Sequence, residues 1–450
     1  MQLCNIAKVI MSSIVRINGP AQVNGEITVP GDKSISHRAA LLAAIANGAS
    51  KITGFASSAD CQATLDCIRK LGIPVQQSGG EVIIAGGGAD GFQAAGSEPV
   101  HLWAGNSGST IRMIAGLLAG SSLDSEIDGD PSLRRRPMRR IMSPLRLMGA
   151  QIEAREDNYP PLRIAGRPLR AIHYDSPVAS AQIKTCVLMA GLGACGATVF
   201  TEPAQSRNHT ELMLPEFGVS LTIDECGPGR RIVLEGGQQL RPVNYQVPGD
   251  LSSAAFFIAA ALVAPGSSLA IKGVGLNPTR SGFLDVLDGL GGGIIRTNVR
   301  TSAGEPVGDL VAASSRLSCA GGATLLSGPV IANIIDEVPM LAVVATQVHG
   351  RLEVRGAREL RIKESDRIRT VVEGITAMGG QIQEFDDGFA IEGPQRLVGA
   401  RVSSHGDHRI AMAFAIAGLI ANGTIEIDDA DCAAVSFPEF YSTLERVMRN

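Results

Sequence analysis

One tetrapeptide occurs twice, as Val29-Pro30-Gly31-Asp32 and as Val247-Pro248-Gly249-Asp250, and each copy runs into a polar loop and a helix of small apolar residues. After the first come Lys33-Ser34-Ile35-Ser36-His37-Arg38 and the apolar run 39–44; after the second come Leu251-Ser252-Ser253 and the run 254–263. The same succession of strand, polar loop, Ala-rich helix and Gly-turned hairpin recurs with an uneven period on the order of 60–80 residues, which marks supersecondary modules rather than a solenoid. The echo divides 450 residues into two halves, and that length exceeds what one core ordinarily holds. The expectation is a duplicated α/β protein. One domain would be residues 31–248 and the other residues 1–30 with 249–450, the N-terminal strands completing the second and the chain crossing near Gly31 and Gly249.

Hydrophobic residues make up 45% and charged ones 19%, enough apolar material for sizeable cores and unlike a disordered chain. The 53 Gly against 4 Tyr and 1 Trp imply many turns and close packing through Ala and Gly, and leave no aromatic surface for stacking nucleic-acid bases. A net charge of −4 gives no electrostatic reason for nucleic acid or an anionic membrane as partner. The 8 Cys are scattered, with no CxxC pair and no zinc-like Cys–His spacing, so reduced thiols and no metal are expected. No apolar run reaches the length of a membrane span. Residues 1–13 lack the marks of a signal peptide, with Met11 an alternative start, and the cytoplasm is the expected location.

Locally, residues 14–29 alternate as a strand pair with a turn at Asn18-Gly19-Pro20. Residues 59–71 have helical spacing and stop at Gly72. Val75 and residues 81–85 read as a hairpin closed by Gly86-Gly87-Gly88, which lacks the GxGxxG form and its acidic partner and is therefore a turn. Val100–Trp103 is a strand.

The polar loops precede helices. Backbone N–H groups at a helix start are unpaired and carry the positive end of the dipole, so each start can receive an anion. Beyond the opening loop, the stretches 104–112, 180–184, 205–210, 277–280, 336–337, 363–367 and 406–409 all lead into helical runs. Residues 134–140 hold five Arg in seven positions; Arg near a helix N-terminus opposes the dipole, and a bound anion would explain it. If the helix starts of each half converge, Lys33, Arg38, Arg112, Arg136, Arg207, Lys363, Arg367 and Arg409 line a cationic cleft for a substrate with several phosphates or carboxylates. Asp336, Glu337, Glu364, Asp366, Asp407 and His408 are the acids and bases at loop positions. Each either completes an ion-pair network or carries protons; for His408, as for His37 and His209, a structural role leads. The chain has no Walker P-loop, GxSxG, HExxH or EF-hand loop. The residues alone describe a two-domain enzyme acting on small polyanions without a metal, its reaction type open.

Taken together and in order, these motifs resemble the 5-enolpyruvylshikimate-3-phosphate synthases, a family of enolpyruvyl transferases. The resemblance runs from about residue 14 to the C-terminus and rests on residues 31–38, 105–112, 136–138, 180–182, 276–280, 362–367 and 407–412. It implies two domains, each of three βαβαββ units with central helices and outer sheets, an inside-out α/β barrel. It implies that phosphoenolpyruvate and shikimate 3-phosphate give 5-enolpyruvylshikimate 3-phosphate and phosphate, with no cofactor and with a monomer as the working form. Each substrate carries one carboxylate and a phosphate of about −1.5 to −2, so the pair brings roughly −5 to −6.

Carried over position by position, the resemblance implies that Lys33, Ser34, Arg38, Ser180, Ala181, Gln182, Ser206, Asp336 and Lys363 hold shikimate 3-phosphate. Ala181 stands where some members have Ser. Lys33, Asn106, Gly108, Arg136, Gln182, Arg367 and Arg409 would hold phosphoenolpyruvate, with Asn106 and Arg112 shaping the loop. Asp336 would be the base for the 5-hydroxyl, and Lys33 and Glu364 the proton carriers at the enolpyruvyl end. Two positions depart from the family. Val435 replaces a Lys that many members carry, and Glu359 replaces an Asn. Both fit its more divergent bacterial branch, where Ala at the Gly108 position confers tolerance to glyphosate. Gly108 here implies sensitivity. Two rivals remain: the sister transferase acting on UDP-N-acetylglucosamine, which would need a loop Cys as proton donor, and a non-catalytic polyanion-binding protein.

Overall fold

The computed structural model describes residues 14–93, 96 and 98–449; residues 1–13, with Cys4 and the alternative start Met11, lie outside them. In chain order the helices are α1 (Lys33–Ala44), α2 (Ala59–Lys70), α3 (Gly108–Ala119), α4 (Arg139–Leu147), α5 (Ala181–Leu192), α6 (His209–Glu216), α7 (Leu251–Val263), α8 (Gly282–Gly289), α9 (Pro329–Ile334), α10 (Val338–Ala345), α11 (Arg367–Ala377), α12 (His408–Ile420) and α13 (Phe440–Val447). The Ala-rich runs become α1, α3, α5, α7, α10 and α12, which are buried almost all round. A helix without a polar face has to sit between other elements. Small residues set their spacing: a methyl added to Gly116 of α3 would meet the Cys186 carbonyl oxygen of α5 at 2.2 Å.

Around these helices, among the described residues, stand six sheets. One shows the unit plainly. Val100–Trp103 leads through α3 to Asp124–Asp128, then through α4 to the hairpin Gln151–Arg155 and Tyr159–Ala165. The first two strands are parallel and the hairpin closes the sheet antiparallel. His173–Asp175, Ala197–Glu202, Leu221–Cys226 and Gly229–Glu235 repeat the arrangement with α5 and α6. This is the βαβαββ unit, and the fold is the two-domain α/β architecture expected. Two separate apolar cores follow, one from residues between 35 and 247, the other from residues 17–27 together with residues between 251 and 447.

The tetrapeptide echo marks where the chain changes sides. Gln22–Thr28 precedes α1 but pairs with Ser268–Gly275 of the second half. Asn244–Gln246 precedes α7 but pairs with Asn47–Thr53 of the first. The two strands therefore exchange places, and Gly31 and Gly249 bridge antiparallel at the crossing. Asp32 N–H donates to Pro248 O and Asp250 N–H to Pro30 O, each at 2.8 Å. A Cβ at Gly31 would lie 1.7 Å from the Gly54 carbonyl oxygen, so the crossing admits only glycine there.

Three local readings need correction. The strands within residues 14–29 exist but do not pair with each other: Val15–Gly19 joins Asn422–Asp428, and Gln22–Thr28 joins the sheet of Ser268–Gly275. The joint at Gly19-Pro20 is seated on the end of α12, where Ala21 N–H donates to Leu419 O at 2.9 Å, so the chain passes between sheets instead of folding back. Gly86 and Gly87 end the strand Glu81–Gly87 rather than forming a turn, because a side chain at Gly86 would strike the Ala43 and Ala46 carbonyls at the end of α1. The Arg-rich stretch is a 3-10 turn, Leu133–Arg135, followed by α4. With Leu133 buried, Arg134, Arg135 and Arg139 are exposed, and Arg134 and Arg139 pair with Asp128 and Asp157. Among the described residues no helix is long and apolar enough to cross a membrane, and no group of His, Cys, Asp or Glu is placed to hold a metal ion.

Candidate active site

A buried helix start must satisfy its own N–H groups, and Asp or Ser at the cap does so with a side-chain oxygen. Asp32, Ser107, Ser180, Asp250, Asp366 and Asp407 all cap this way. That explains the polar loops at the ends of apolar helices. The starts of α1, α3, α5, α7, α10, α11 and α12 meet around one cleft of about 720 Å³, a size suited to small-molecule ligands. Ten cationic side chains line it against five carboxylates, on a chain whose net charge is −4.

On the α1 side, Lys33 Nζ meets Asp60 Oδ2 at 2.7 Å. Burial works most strongly against its charge, but Asp60 and Glu364 together offset it, so the ammonium is held above its usual range. Arg38 is buried, donating to Ser34 O (2.8 Å), Thr210 Oγ1 (2.8 Å) and Thr185 Oγ1 (2.9 Å). Burial pushes it down to about 10. Among the described residues no carboxylate lies within ion-pair distance of it. A cation so placed, lining the cleft, is suited to an anion.

From α3 and α4, Arg112 donates to Gln182 Oε1 at 2.8 Å, and Gln182 Nε2 donates to Ser109 Oγ at 3.1 Å. Burial, with Arg140 and Arg136 alongside, drives the Arg112 guanidinium well below its usual range. Arg136 donates to Asn106 Oδ1 (2.8 Å) and to Glu364 Oε1 across the cleft (3.1 Å). Gly108 lies beneath both arginines: an added methyl would stand 2.7 Å from Arg112 Nη1 and 3.3 Å from Arg136 Nη1.

Apart from Asp60, the acids of the cleft come from the second half. Asp336 accepts from Arg207 at 2.6 Å, with Arg367 and Arg409 each at 3.7 Å. Burial would raise its carboxyl, but Arg409, Arg207, Lys363 and Arg367 hold it well below the carboxylate range. Glu364 accepts from Arg367 at 2.7 Å and is likewise held well down, burial being outweighed by Arg367 and Arg136. Arg367 is anchored by Asp407 at 2.8 Å. Lys363 meets Glu359 at 2.9 Å. His408 lines the cleft as a neutral imidazole, pushed down to about 4 by burial.

Of the residues expected from the sequence, Lys33, Ser34, Arg38, Gly108, Arg136, Ser180, Ala181, Gln182, Ser206, Asp336, Lys363, Glu364, Arg367 and Arg409 all line the cleft. Asn106 does not; it stands behind, accepting from Arg136 and donating to Asp130 at 2.7 Å. Val435 is outside the lining. His37 is a core residue bonded to Thr64, and burial pushes it down to about 3. Asp60, Arg140, Asp250 and Arg280 were missed. Asp60 carries no signal in the sequence, since an acid in a helix's first turn is commonplace; Arg140 was masked by its exposed neighbours. Cys61 and Cys67 are buried on α2 outside the cleft, and burial raises both thiols, Cys67 to about 12. Neither is placed to donate a proton to a ligand.

The family model for EPSP synthase (3-phosphoshikimate 1-carboxyvinyltransferase) matches residues 17–444. The chain is 50% identical over 432 residues to a 3-phosphoshikimate 1-carboxyvinyltransferase of Solibacter usitatus, covering 96% of this chain and 99% of that one. It is 46% identical over 436 residues to the protein of that name from Brevibacillus brevis, covering 96% and 100%. The EPSP synthase structure from Acinetobacter baumannii superposes with a TM-score of 0.85 at 40% identity, covering 97% of this chain and 98% of that one.

Proposed function

The chain belongs to the EPSP synthase family, and from that premise we infer that its cationic cleft is where an enolpyruvyl group passes from phosphoenolpyruvate to the 5-hydroxyl of shikimate 3-phosphate. The observation that carries this reading is the meeting of Asp336, Glu364 and Lys33 in one cleft with an excess of five cations, the right order to match roughly five or six negative charges on the two substrates.

In the proposed sequence Asp336 takes the proton of the 5-hydroxyl as its oxygen attacks the enol carbon. The methylene carbon gains a proton at the end of the cleft held by Lys33 and Glu364. The adduct then breaks its carbon–oxygen bond to phosphate, and the methyl group returns a proton as the double bond reforms. Ser34, Arg38, Ser180, Ala181, Gln182, Ser206 and Lys363 would hold shikimate 3-phosphate, joined by Arg207. Gly108, Arg136, Gln182, Arg367 and Arg409 would hold phosphoenolpyruvate, and Asn106 would act on it through Arg136. The proposed domains, residues 31–248 and residues 1–30 with 249–450, would close on the substrates across the Gly31–Gly249 crossing and exclude water from the hydrolysable adduct. The enzyme would act as a cytoplasmic monomer.

Phosphate release is expected only when both substrates are present. Release with UDP-N-acetylglucosamine in place of shikimate 3-phosphate would overturn the assignment of substrate. Because Gly108 leaves room under Arg112 and Arg136, glyphosate is expected to inhibit in competition with phosphoenolpyruvate. Gly108→Ala, whose methyl displaces those guanidiniums, should raise both the inhibition constant and the KM for phosphoenolpyruvate. Unchanged inhibition in the variant would place the inhibitor elsewhere.

A further inference from the structure

The turn Asn277–Arg280 has no part in the chemistry set out above, yet it is built with care. Asn277 Oδ1 accepts from Thr279 N–H at 2.9 Å and from its hydroxyl at 2.7 Å, an Asx turn, and Arg280 N–H donates to Asn277 O at 2.8 Å. Asn277 Nδ2 in turn donates to Glu305 and to Asn208, each at 2.8 Å, so the turn is fixed to both halves. The result is a buried guanidinium aimed into the crossing of the chain.

There Arg280 faces the caps of α1 and α7. Its Nη2 lies 3.2 Å from Asp250 Oδ1 and 3.9 Å from Asp32 Oδ2, and donates to Ser252 Oγ at 2.7 Å; its Nη1 lies 3.7 Å from Glu337 Oε1. Ser252 itself donates to Glu337. The other oxygen of Asp250 accepts from the Lys33 N–H at 3.3 Å. One guanidinium is therefore one residue removed from Lys33 on the first half. Through Ser252 it reaches Glu337, the residue adjoining Asp336, on the second.

We propose that Arg280 is a positioning residue which, by bridging Asp250 to Ser252 and Glu337, sets the separation of Lys33 from Asp336 across the crossing of the two halves. The inference rests on Lys33 and Asp336 carrying the chemistry. Burial opposes the charge on Arg280, but Glu337, Asp32 and Asp250 more than offset it and keep the group protonated. Ser252 already ties the start of α7 to Glu337; what the guanidinium adds is the caps of both crossing helices, Asp250 and Asp32, held to one group that also faces Glu337. These contacts together hold the Asp32 and Asp250 caps against the loop of Glu337, and a displacement on the order of 1 Å between reacting groups can cost about 10²-fold in rate.

Arg280→Gln is expected to lower kcat about 10²-fold while KM for both substrates changes little. The companion Arg280→Gln/Asp250→Asn removes a carboxylate left unpaired. It should recover thermal stability but not kcat. Recovery of kcat with Tm would reduce Arg280 to charge balance and overturn the proposal, as would a wild-type kcat in Arg280→Gln. If Arg280→Gln does not fold, Arg280→Lys carries the test: it keeps the charge but cannot span both contacts, so kcat should fall at a near-native Tm, and a wild-type kcat overturns the proposal. Lys33→Met and Asp336→Asn are assayed in parallel. Turnover retained in those two refutes the assignment of the chemistry itself, a result distinct from turnover retained in the Arg280 variants.

Discussion

Asp336→Asn is expected to lower kcat by about 10²–10⁴-fold, the range of one positioned proton transfer, without loss of the fold. Asn keeps the shape of Asp and can still accept from Arg207; what it cannot do is take the proton of the 5-hydroxyl. The pH dependence makes the expectation sharper. With Arg207 at 2.6 Å and Arg367 and Arg409 each at 3.7 Å, burial is outweighed and Asp336 is held well below the carboxylate range. A base held that low is weak. In the proposed complex the substrates' anions would draw on the same cations: Lys363 and Arg207 toward shikimate 3-phosphate, Arg367 and Arg409 toward phosphoenolpyruvate. Each such contact would loosen the hold on Asp336, and its pKa would rise toward the working range. The sign follows. A group lower in the free enzyme than in the complex places its acid limb at higher pH in kcat than in kcat/KM. Phosphate release measured across pH checks this. An unchanged kcat in the variant, or an acid limb that survives there, removes Asp336 as the base.

The lining of the cleft was more legible in the sequence than the sheets around it, for a physical reason. Helix starts that meet at a cleft leave a local signature: a capping Asp or Ser, a cation within the next turn, and an apolar run, all within a dozen residues. Lys33–Arg38 and Glu364–Arg367 show it, and the cleft contains both. Strand pairing is not local. Val15–Gly19 finds its partner in Asn422–Asp428, and neither segment carries a mark of the other, so a turn at Asn18-Gly19-Pro20 read as a hairpin. Asp60 was hidden for the same reason: its role depends on α2 lying beside α1, which no spacing within α2 records. Gly86 shows the converse. Its meaning is a close approach to the end of α1, and sequence alone cannot tell a glycine that turns from a glycine that makes room.

Lys184→Met is expected to cost about 3–5 kcal/mol, the range for removing one partner of a buried ion pair. Lys184 on α5 is fully buried between Glu202 at 2.8 Å and Glu211 at 2.7 Å. Taking away the ammonium leaves two buried carboxylates facing one another, and desolvated charge without a partner is what makes such changes severe. The same triad reaches the cleft. Glu202 accepts from Ser206 N–H at 3.1 Å and from the Ser206 hydroxyl at 2.5 Å, and Lys184 donates to Ser206 O at 3.4 Å. The loop that carries Ser206 and Arg207 is therefore tied to the core through this buried network. Urea unfolding should show a lower midpoint with an unchanged slope. The triple change Lys184→Met/Glu202→Gln/Glu211→Gln, which removes all three charges, should regain most of the loss, because replacing a whole buried ionic group is far less costly than breaking it. That variant separates stability from function: without Glu202 to fix Ser206, KM for shikimate 3-phosphate should rise even where the midpoint is restored. A Lys184→Met loss below about 1 kcal/mol, the scale of a solvent-exposed pair, would show that the carboxylates find other partners and that the network does not hold the loop.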